Sequence, residues 1–198
     1  MTELNRRDAL RKIAIGGAAA VTAPLWVQAL ASAAGQHAAH YQASAARTAA
    51  WAPRALTAAQ NETVLALAEL IIPQTDTAGA TKANVNRFID AVIADASPTD
   101  RQRFADGLAW VDARSQRDAG APFAKATAPQ QTALLTALST NKTPTPEDQP
   151  GVDFFKAIKS LTITGYYTSE VGMREEMDDD GNMFFLEFKG CTHPHHKV

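Results

Sequence analysis

The pattern of apolar and polar positions divides the chain into five helical segments, with no sustained strand pattern. The clearest segment places its apolar residues three and one positions apart, which is the spacing of one helix face. Its members are Val85, Phe88, Ile89, Val92 and Ile93. The other four apolar stripes are Val64, Leu67, Ala68 and Ile71; Phe104, Leu108 and Val111; Leu134, Leu135 and Leu138; and Phe154, Phe155, Ile158, Leu161 and Thr162. We therefore predict a mainly α fold, a small irregular helical domain of about five helices.

Start and stop signals bound these helices. Thr57 and Thr127 are each followed three positions later by glutamine, which is the capping-box pattern at a helix start. Ser97 is a good N-cap and is followed by a proline, the residue favoured in the first helical turn. Pro73 stops the first helix, and three prolines between Asn141 and Gly151 predict a loop there.

The first 33 residues have the pattern of an export signal. Arg6 and Arg7 lie in a basic region that precedes an uncharged stretch of middling hydrophobicity, residues 13–34. The paired arginines indicate the twin-arginine route, which exports folded proteins. Small residues form an A-x-A cleavage pattern that ends at Ala31 or at Ala33. An uncleaved membrane anchor is the alternative, because about 20 apolar residues can span a bilayer.

These features divide the chain into four parts. Residues 1–33 are the signal, and residues 34–55 are predicted to be an extended lead-in or a loosely docked tail. Residues 56–191 form the helical domain and residues 192–198 a C-terminal tail. The best strand candidate is a short apolar run, residues 183–188, bounded by glycines.

Composition and missing motifs restrict the chemistry of the chain. Its 198 residues carry a formal net charge of −2, so a basic surface for nucleic acid is not expected. One cysteine excludes an internal disulfide framework and a four-thiolate zinc or iron–sulfur site. The sequence contains no nucleophile elbow, phosphate-binding loop, dinucleotide fingerprint or H-E-x-x-H motif. We assign no catalytic and no cofactor-binding residue.

The C-terminal end holds four side chains that could bind a soft metal: Cys191, His193, His195 and His196. Closeness in sequence does not create a coordination geometry, so a solvated tail is the alternative and we assign no metal site. Because an odd cysteine in an exported protein suggests pairing with another chain, Cys191 is our candidate for an interchain disulfide.

Surplus apolar surface indicates a protein partner. Two adjacent phenylalanines, or two adjacent tyrosines, cannot both face one helical core, so at least one of each pair should lie at a boundary. A chain of this size rarely exposes that much apolar surface without a partner. The predicted interface residues are Phe154, Tyr166, Tyr167, Phe184, Phe185 and Phe188. The acidic stretch 175–180 is read as solvated or partner-facing.

Several segments resemble the gluconate 2-dehydrogenase subunit 3 family. The first is Leu67–Ala80, which contains Ile-Ile-Pro-Gln-Thr-Asp-Thr-Ala-Gly-Ala. The second is Leu161–Gly172, which contains Gly-Tyr-Tyr-Thr-Ser-Glu. Val85–Asp90 and the Gly-Cys pair that ends at Cys191 also fit, and the similarity spans about residues 56–191.

This resemblance implies a non-catalytic small (gamma) subunit of a periplasmic FAD-dependent sugar or gluconate-type dehydrogenase. Such a subunit binds a large FAD-containing, GMC-type catalytic subunit, and its leader takes both through the twin-arginine translocase. The flavin is expected in the partner, and electrons pass to a cytochrome c subunit or directly to an acceptor. The residues leave open another class, a self-contained exported metal or redox binder that uses the C-terminal Cys/His cluster.

Overall fold

The computed structural model describes residues 24–44 and 51–177, with the side chains of residues 24–35 and 51–177. These residues form helices and no strand, which confirms the mainly α prediction. The α-helices are α1 (Leu25–Ser44), α2 (Ala58–Ile71), α3 (Val85–Asp95), α4 (Pro98–Ala119), α5 (Ala128–Thr140) and α6 (Gln149–Tyr167). A 3₁₀ turn at Phe123–Lys125 lies between α4 and α5, and a π-helical turn at Gly172–Glu176 follows α6.

The predicted start signals cap the helices. Thr57 Oγ1 accepts the backbone N–H of Gln60 at 3.2 Å, and the Gln60 side chain accepts the Thr57 N–H at 2.9 Å. Ser97 caps α4 in the same way, by accepting the N–H of Asp100 at 3.1 Å. These bonds satisfy N–H groups that a helix leaves without a partner in its first turn. Their sequence pattern is therefore a direct guide to where each helix begins.

Helix α6 begins earlier than predicted. Its first residue is Gln149, so Pro150 and Gly151, which were predicted to end a loop, lie in the first helical turn. Proline is favoured there because the first-turn N–H groups need no partner within the helix. Gly151 is needed because its backbone lies against the Trp110 ring, where a Cβ would overlap it.

The core surrounds α6, which contacts every other α-helix. Phe154 is fully buried and packs edge-to-face on Phe104 with ring centroids 5.2 Å apart. Phe155 is also buried, with 9% of its surface exposed. Phe155 also lines an open groove between the end of α2, α5 and α6, so the boundary member of the pair is Phe155 and not the interface candidate Phe154. A helix packed by neighbours on several sides can bury two successive aromatic side chains.

Helix α1 occupies part of the segment that was predicted to be leader and lead-in. Val27, Leu30 and Ala34 are buried in the core, and α1 contacts α6 and α3. Residues 34–44 are helical, whereas we expected an extended lead-in or a loosely docked tail. Within the described residues, no helix is both long and apolar enough to cross a membrane.

The end of the lead-in is attached to the domain through Asp90. This carboxylate is 1% exposed and accepts the backbone N–H groups of Arg54, Ala55 and Leu56 at 2.8–3.0 Å. Arg87 also lies over the Trp51 ring, 5.3 Å from its centroid. Because three amides converge on one buried acid, residues 54–56 have a fixed path into α2.

Candidate functional site

The two segments that carried the resemblance meet at one end of the helical domain. The first ends α2 and continues into the α2–α3 loop, residues 72–84, while the second ends α6 and leads into the π-helical turn. Helix α2 ends before Pro73, which has no N–H to donate to the helix. The C-cap residue Ile72 is already non-helical, with φ −129°. The contacts between these segments define the candidate site.

Glu69 holds the α2–α3 loop from the α2 side. Its Oε1 accepts the N–H of Gln74 and its Oε2 accepts the N–H of Thr81, both at 2.9 Å. One carboxylate therefore joins the beginning and the end of the loop, and such charge-assisted bonds are stronger than neutral ones. The backbone N–H of Ala80 also donates to the Ile72 carbonyl at 2.9 Å.

Gly79 is required by this close packing. A Cβ at this position would lie 2.6 Å from the Gln74 backbone nitrogen and would also overlap Glu69 Oε1. The loop backbone passes so near the Glu69 carboxylate that only glycine fits without a shift.

The second segment holds the same loop from the opposite side. The fully buried Tyr166 hydroxyl donates to the Ala78 carbonyl at 2.7 Å. Glu175 Oε2 accepts the Ala78 N–H at 3.0 Å, and Glu176 Oε2 accepts the Thr77 hydroxyl at 2.8 Å. Both backbone groups of Ala78 are thus bonded by residues 88 and 97 positions later. The acidic stretch, expected to be solvated or partner-facing, contributes two carboxylates to an internal contact.

The turn after α6 is shaped to present these carboxylates. Ser169 Oγ donates to the Tyr166 carbonyl at 2.6 Å and accepts the Gly172 N–H at 3.0 Å. A Cβ on Gly172 would overlap the Tyr166 carbonyl, and a Cβ on Gly165 would lie 2.7 Å from the Phe88 ring. The residues of the Gly-Tyr-Tyr-Thr-Ser-Glu-Val-Gly run therefore fit close helix packing and the tight turn at residues 168–169.

The outer edge of the loop remains exposed. Residues 73–76 face solvent, while Ala78, Gly79 and Ala80 are buried beneath them. The Thr75 hydroxyl donates to Asp76 Oδ1 at 2.7 Å, and the Thr75 N–H donates to the Thr77 carbonyl at 3.0 Å. The result is a small polar surface whose backbone is fixed from below, which suits recognition by another molecule.

A shallow groove lies beside the site. It has a volume of about 240 Å³ and runs between the end of α2, α5 and α6. Its lining residues are Leu70, Ile71, Thr132, Leu135, Thr136, Ser139, Phe155 and Lys159.

The predicted site residues fall into two groups. Phe154 and Tyr166 are fully buried, and Tyr167 is half-buried with its ring edge-to-face on Tyr166 at 5.1 Å. The first two present no surface to a partner here, and Tyr167 lies at the boundary where one tyrosine of the pair was expected. The remaining predicted residues lie outside the described part of the chain: Arg6, Arg7, Phe184, Phe185, Phe188, Cys191, His193, His195 and His196. Among the side chains that the structure describes, those of residues 24–35 and 51–177, no group of three or more His, Cys, Asp or Glu could hold a metal ion.

Glu69 and Gly79 received no individual role from the sequence, and Glu175 was expected only as part of a solvated or partner-facing acidic stretch. A signal for the first two was present, because both lie in a segment that also carried the resemblance. The pairing of Glu175 with Ala78 had no sequence signal, since it joins residues 97 positions apart.

Comparison with known proteins identifies the family. The family model described as gluconate 2-dehydrogenase subunit 3 matches residues 58–182, which is more than half of the chain. The chain belongs to the gluconate 2-dehydrogenase subunit 3 family. The family match begins at the first residue of α2, so it includes both halves of the site and leaves α1 outside. No curated protein and no solved structure gave a significant match.

Proposed function

We propose that this subunit 3 protein is the non-catalytic small subunit of a periplasmic FAD-dependent sugar or gluconate-type dehydrogenase. The family match over residues 58–182 carries this proposal, because the family takes its name from one subunit of a dehydrogenase complex. In this role the chain holds no flavin. It binds the large FAD-containing, GMC-type subunit, and a cytochrome c subunit is a further candidate member of the complex.

The exposed edge of the α2–α3 loop is the surface that we propose for contact with the catalytic subunit. Residues 73–76 are exposed, and bonds from Glu69, Tyr166 and Glu175 fix the backbone that supports them. A surface that is already rigid loses little conformational entropy when it binds, so more of its contact energy appears as affinity. In this proposal Glu69 and Glu175 shape the loop through their bonds to its backbone.

We also propose that Arg6 and Arg7 direct both subunits through the twin-arginine translocase. A route for folded proteins fits a partner that carries FAD, since the flavin subunit must fold around its cofactor before export. The proposal rests on the sequence of the leader, whose two arginines lie outside the described residues.

Co-purification tests the accessory role. The tagged chain is expressed in its native host, captured from the periplasm through its C-terminal tag, and examined by absorption spectroscopy and mass spectrometry. We expect a large subunit in about equal amount with one bound flavin. A chain recovered alone, with bound metal and no flavin, would instead support the metal or redox binder that uses Cys191 and the three histidines.

The double change Arg6→Lys and Arg7→Lys tests the shared leader. We expect both subunits to remain in the cytoplasm, where the complex still forms and still binds flavin. The measurement is the distribution of both chains between cytoplasmic and periplasmic fractions, with the untouched leader as control. A partner that still reaches the periplasm in the double variant would contradict a shared leader.

A further inference from the structure

Helix α1 is part of the apolar core and is also part of the sequence that reads as an export leader. Val27, Leu30 and Ala34 are 4%, 2% and 0% exposed, and they follow one another at helical spacing. Trp26 and Ala33 pack partly buried beside them. The helix lies against α6 and α3, so its buried face covers apolar surface of the domain.

The two A-x-A cleavage patterns lie inside this helix. They end at Ala31 and Ala33, while the helix continues to Ser44. Leu30, the middle residue of the first pattern, is one of the largest fully buried side chains. Proteases cleave segments that are exposed and locally unfolded. Cleavage at Ala31 or Ala33 therefore requires α1 to detach from the core and unwind first.

The length of the uncharged stretch decides whether a packed α1 is compatible with a membrane anchor. It runs over residues 13–34, but when α1 is packed on the domain only residues 13–24 remain before the helix. A stretch of 10–14 residues is too short to span a bilayer. Packing of α1 on the core and insertion of the whole stretch into a membrane therefore exclude each other.

We propose that α1 is a permanent part of the folded subunit and that its packing on α3 and α6 prevents removal of the leader at Ala31 or Ala33. The proposal rests on the proposed export function, because only an exported chain meets the leader peptidase. Since the twin-arginine route carries folded proteins, α1 is already packed when the chain reaches that enzyme. The subunit then works with its N-terminus attached.

A pair of single substitutions tests this mechanism on the full-length chain. Val27→Asp places a carboxylate in the core, whereas Leu25→Asp places one two residues earlier, where 83% of the side chain is exposed. Both changes remove one apolar residue from the leader, and neither changes an A-x-A residue. The purified wild type and the two variants are incubated with leader peptidase in detergent, and cleavage is followed by intact mass.

We expect the wild type and Leu25→Asp to be cut at the same slow rate, and Val27→Asp to be cut at least about tenfold faster, because cleavage follows the population of detached helix. The proposal would be overturned if leader peptidase cut all three chains equally fast or cut none of them. Circular dichroism of Val27→Asp distinguishes detachment of α1 from unfolding of the whole domain.

Hydrogen exchange on the unmodified chain gives a second test that needs no variant. The amides of residues 28–34 should exchange as slowly as those of α3, and exchange at the rate of an exposed helix end would overturn the proposal. Both tests use purified protein, so they show whether the packing of α1 protects the cleavage sites even if the chain proves not to be exported. A chain that is not exported would contradict the proposed function and leave these two tests valid.

Discussion

Two loops of this subunit join neighbouring helices, and they are held in opposite ways. The α2–α3 loop, residues 72–84, is fixed by Glu69, Tyr166 and Glu175 through bonds to its backbone, and the tyrosine is fully buried. The α5–α6 loop, residues 141–148, is attached to α4 by side chains at the surface. The first loop is held mainly by bonds to its backbone, which fix its conformation. The second is held mainly by ion pairs at the surface, which add little to stability.

The attachment of the α5–α6 loop consists of three contacts with α4. Arg114 Nη1 lies 2.7 Å from Asp148 Oδ1, and Arg117 Nη1 lies 2.6 Å from Glu147 Oε1. The Trp110 indole N–H donates to the Glu147 carbonyl at 3.0 Å. The partners of these ion pairs retain 26–70% of their side-chain exposure, so water and salt screen the attraction. We therefore expect substitutions in the α5–α6 loop to lower the free energy of unfolding less than substitutions in the α2–α3 loop.

Gly79→Ala should have the largest effect of the changes in this comparison. The added methyl group overlaps the Gln74 backbone and the Glu69 carboxylate, so the loop must shift and lose bonds at both ends. We expect a loss of about 2–3 kcal/mol in the free energy of unfolding, as for other overpacked sites. Urea denaturation followed by circular dichroism measures it.

The matched control is Gly35→Ala on α1, where an added Cβ meets nothing within 4 Å. It should leave the free energy of unfolding unchanged or raise it by up to about 1 kcal/mol, because alanine favours a helix. Equal effects of the two changes would contradict the close packing at Gly79.

Tyr166→Phe should have an intermediate effect. It removes one hydroxyl and leaves the Ala78 carbonyl without that donor in a buried place, at a cost of about 1–2 kcal/mol. Hydrogen exchange should also become faster at the amides of Ala78 and Thr81. Ser139→Ala is the control, since it removes a hydroxyl-to-carbonyl bond of the same kind on the exposed face of α5. A loop that exchanges unchanged in Tyr166→Phe would show that the hydroxyl does not hold it.

Asp148→Asn should have the smallest effect. It removes the charge that Arg114 contacts, and a partly exposed pair of this kind contributes less than about 1 kcal/mol. The difference from the wild type should shrink further in about 1 M salt, where screening acts within a few ångströms. A loss as large as that of Gly79→Ala would show that the two loops do not differ.

The pH dependence of this contact follows from its arginines. The pKa of Arg114 is raised, chiefly by its hydrogen bond to Asp118, and the pKa of Arg117 by its hydrogen bond to Glu147. A cation whose pKa is raised on folding contributes stability that is complete below its unfolded pKa and is lost only as pH rises through the folded value. That window lies above the ordinary pKa of arginine, so these groups give no pH dependence between about pH 5 and pH 9.

The five predicted helices were recoverable from sequence because their signals are local. Thr57, Ser97 and Thr127 mark helix starts within four residues, and the stripe around Val85 repeats over three turns. Helix α1 was missed because its alanine-rich sequence also fits an export leader, and its stripe of Val27, Leu30 and Ala34 is sparse. Whether this segment packs on the domain depends on the apolar surface that α3 and α6 form together. The local sequence of α1 does not reveal that surface.

The site was predictable only in part. The two segments that form it could be recognised from the sequence, but the contact between them could not, because Tyr166 and Ala78 are 88 positions apart. The interface prediction for Phe154 treated α6 as a helix with one buried face. Its central position, with neighbours on several sides, is a property of the assembled domain.

The central claim is that the α2–α3 loop is a preformed surface for the catalytic subunit, and two matched substitutions test it most directly. Thr75 and Thr143 are exposed threonines, one in each loop. Thr75→Arg and Thr143→Arg are each co-expressed with the flavoprotein, and the flavin captured with the tagged chain is measured by absorption. We expect Thr75→Arg to lose about tenfold or more of the captured flavin and Thr143→Arg to retain it, with both domains folded. Equal capture by the two variants would contradict the claim.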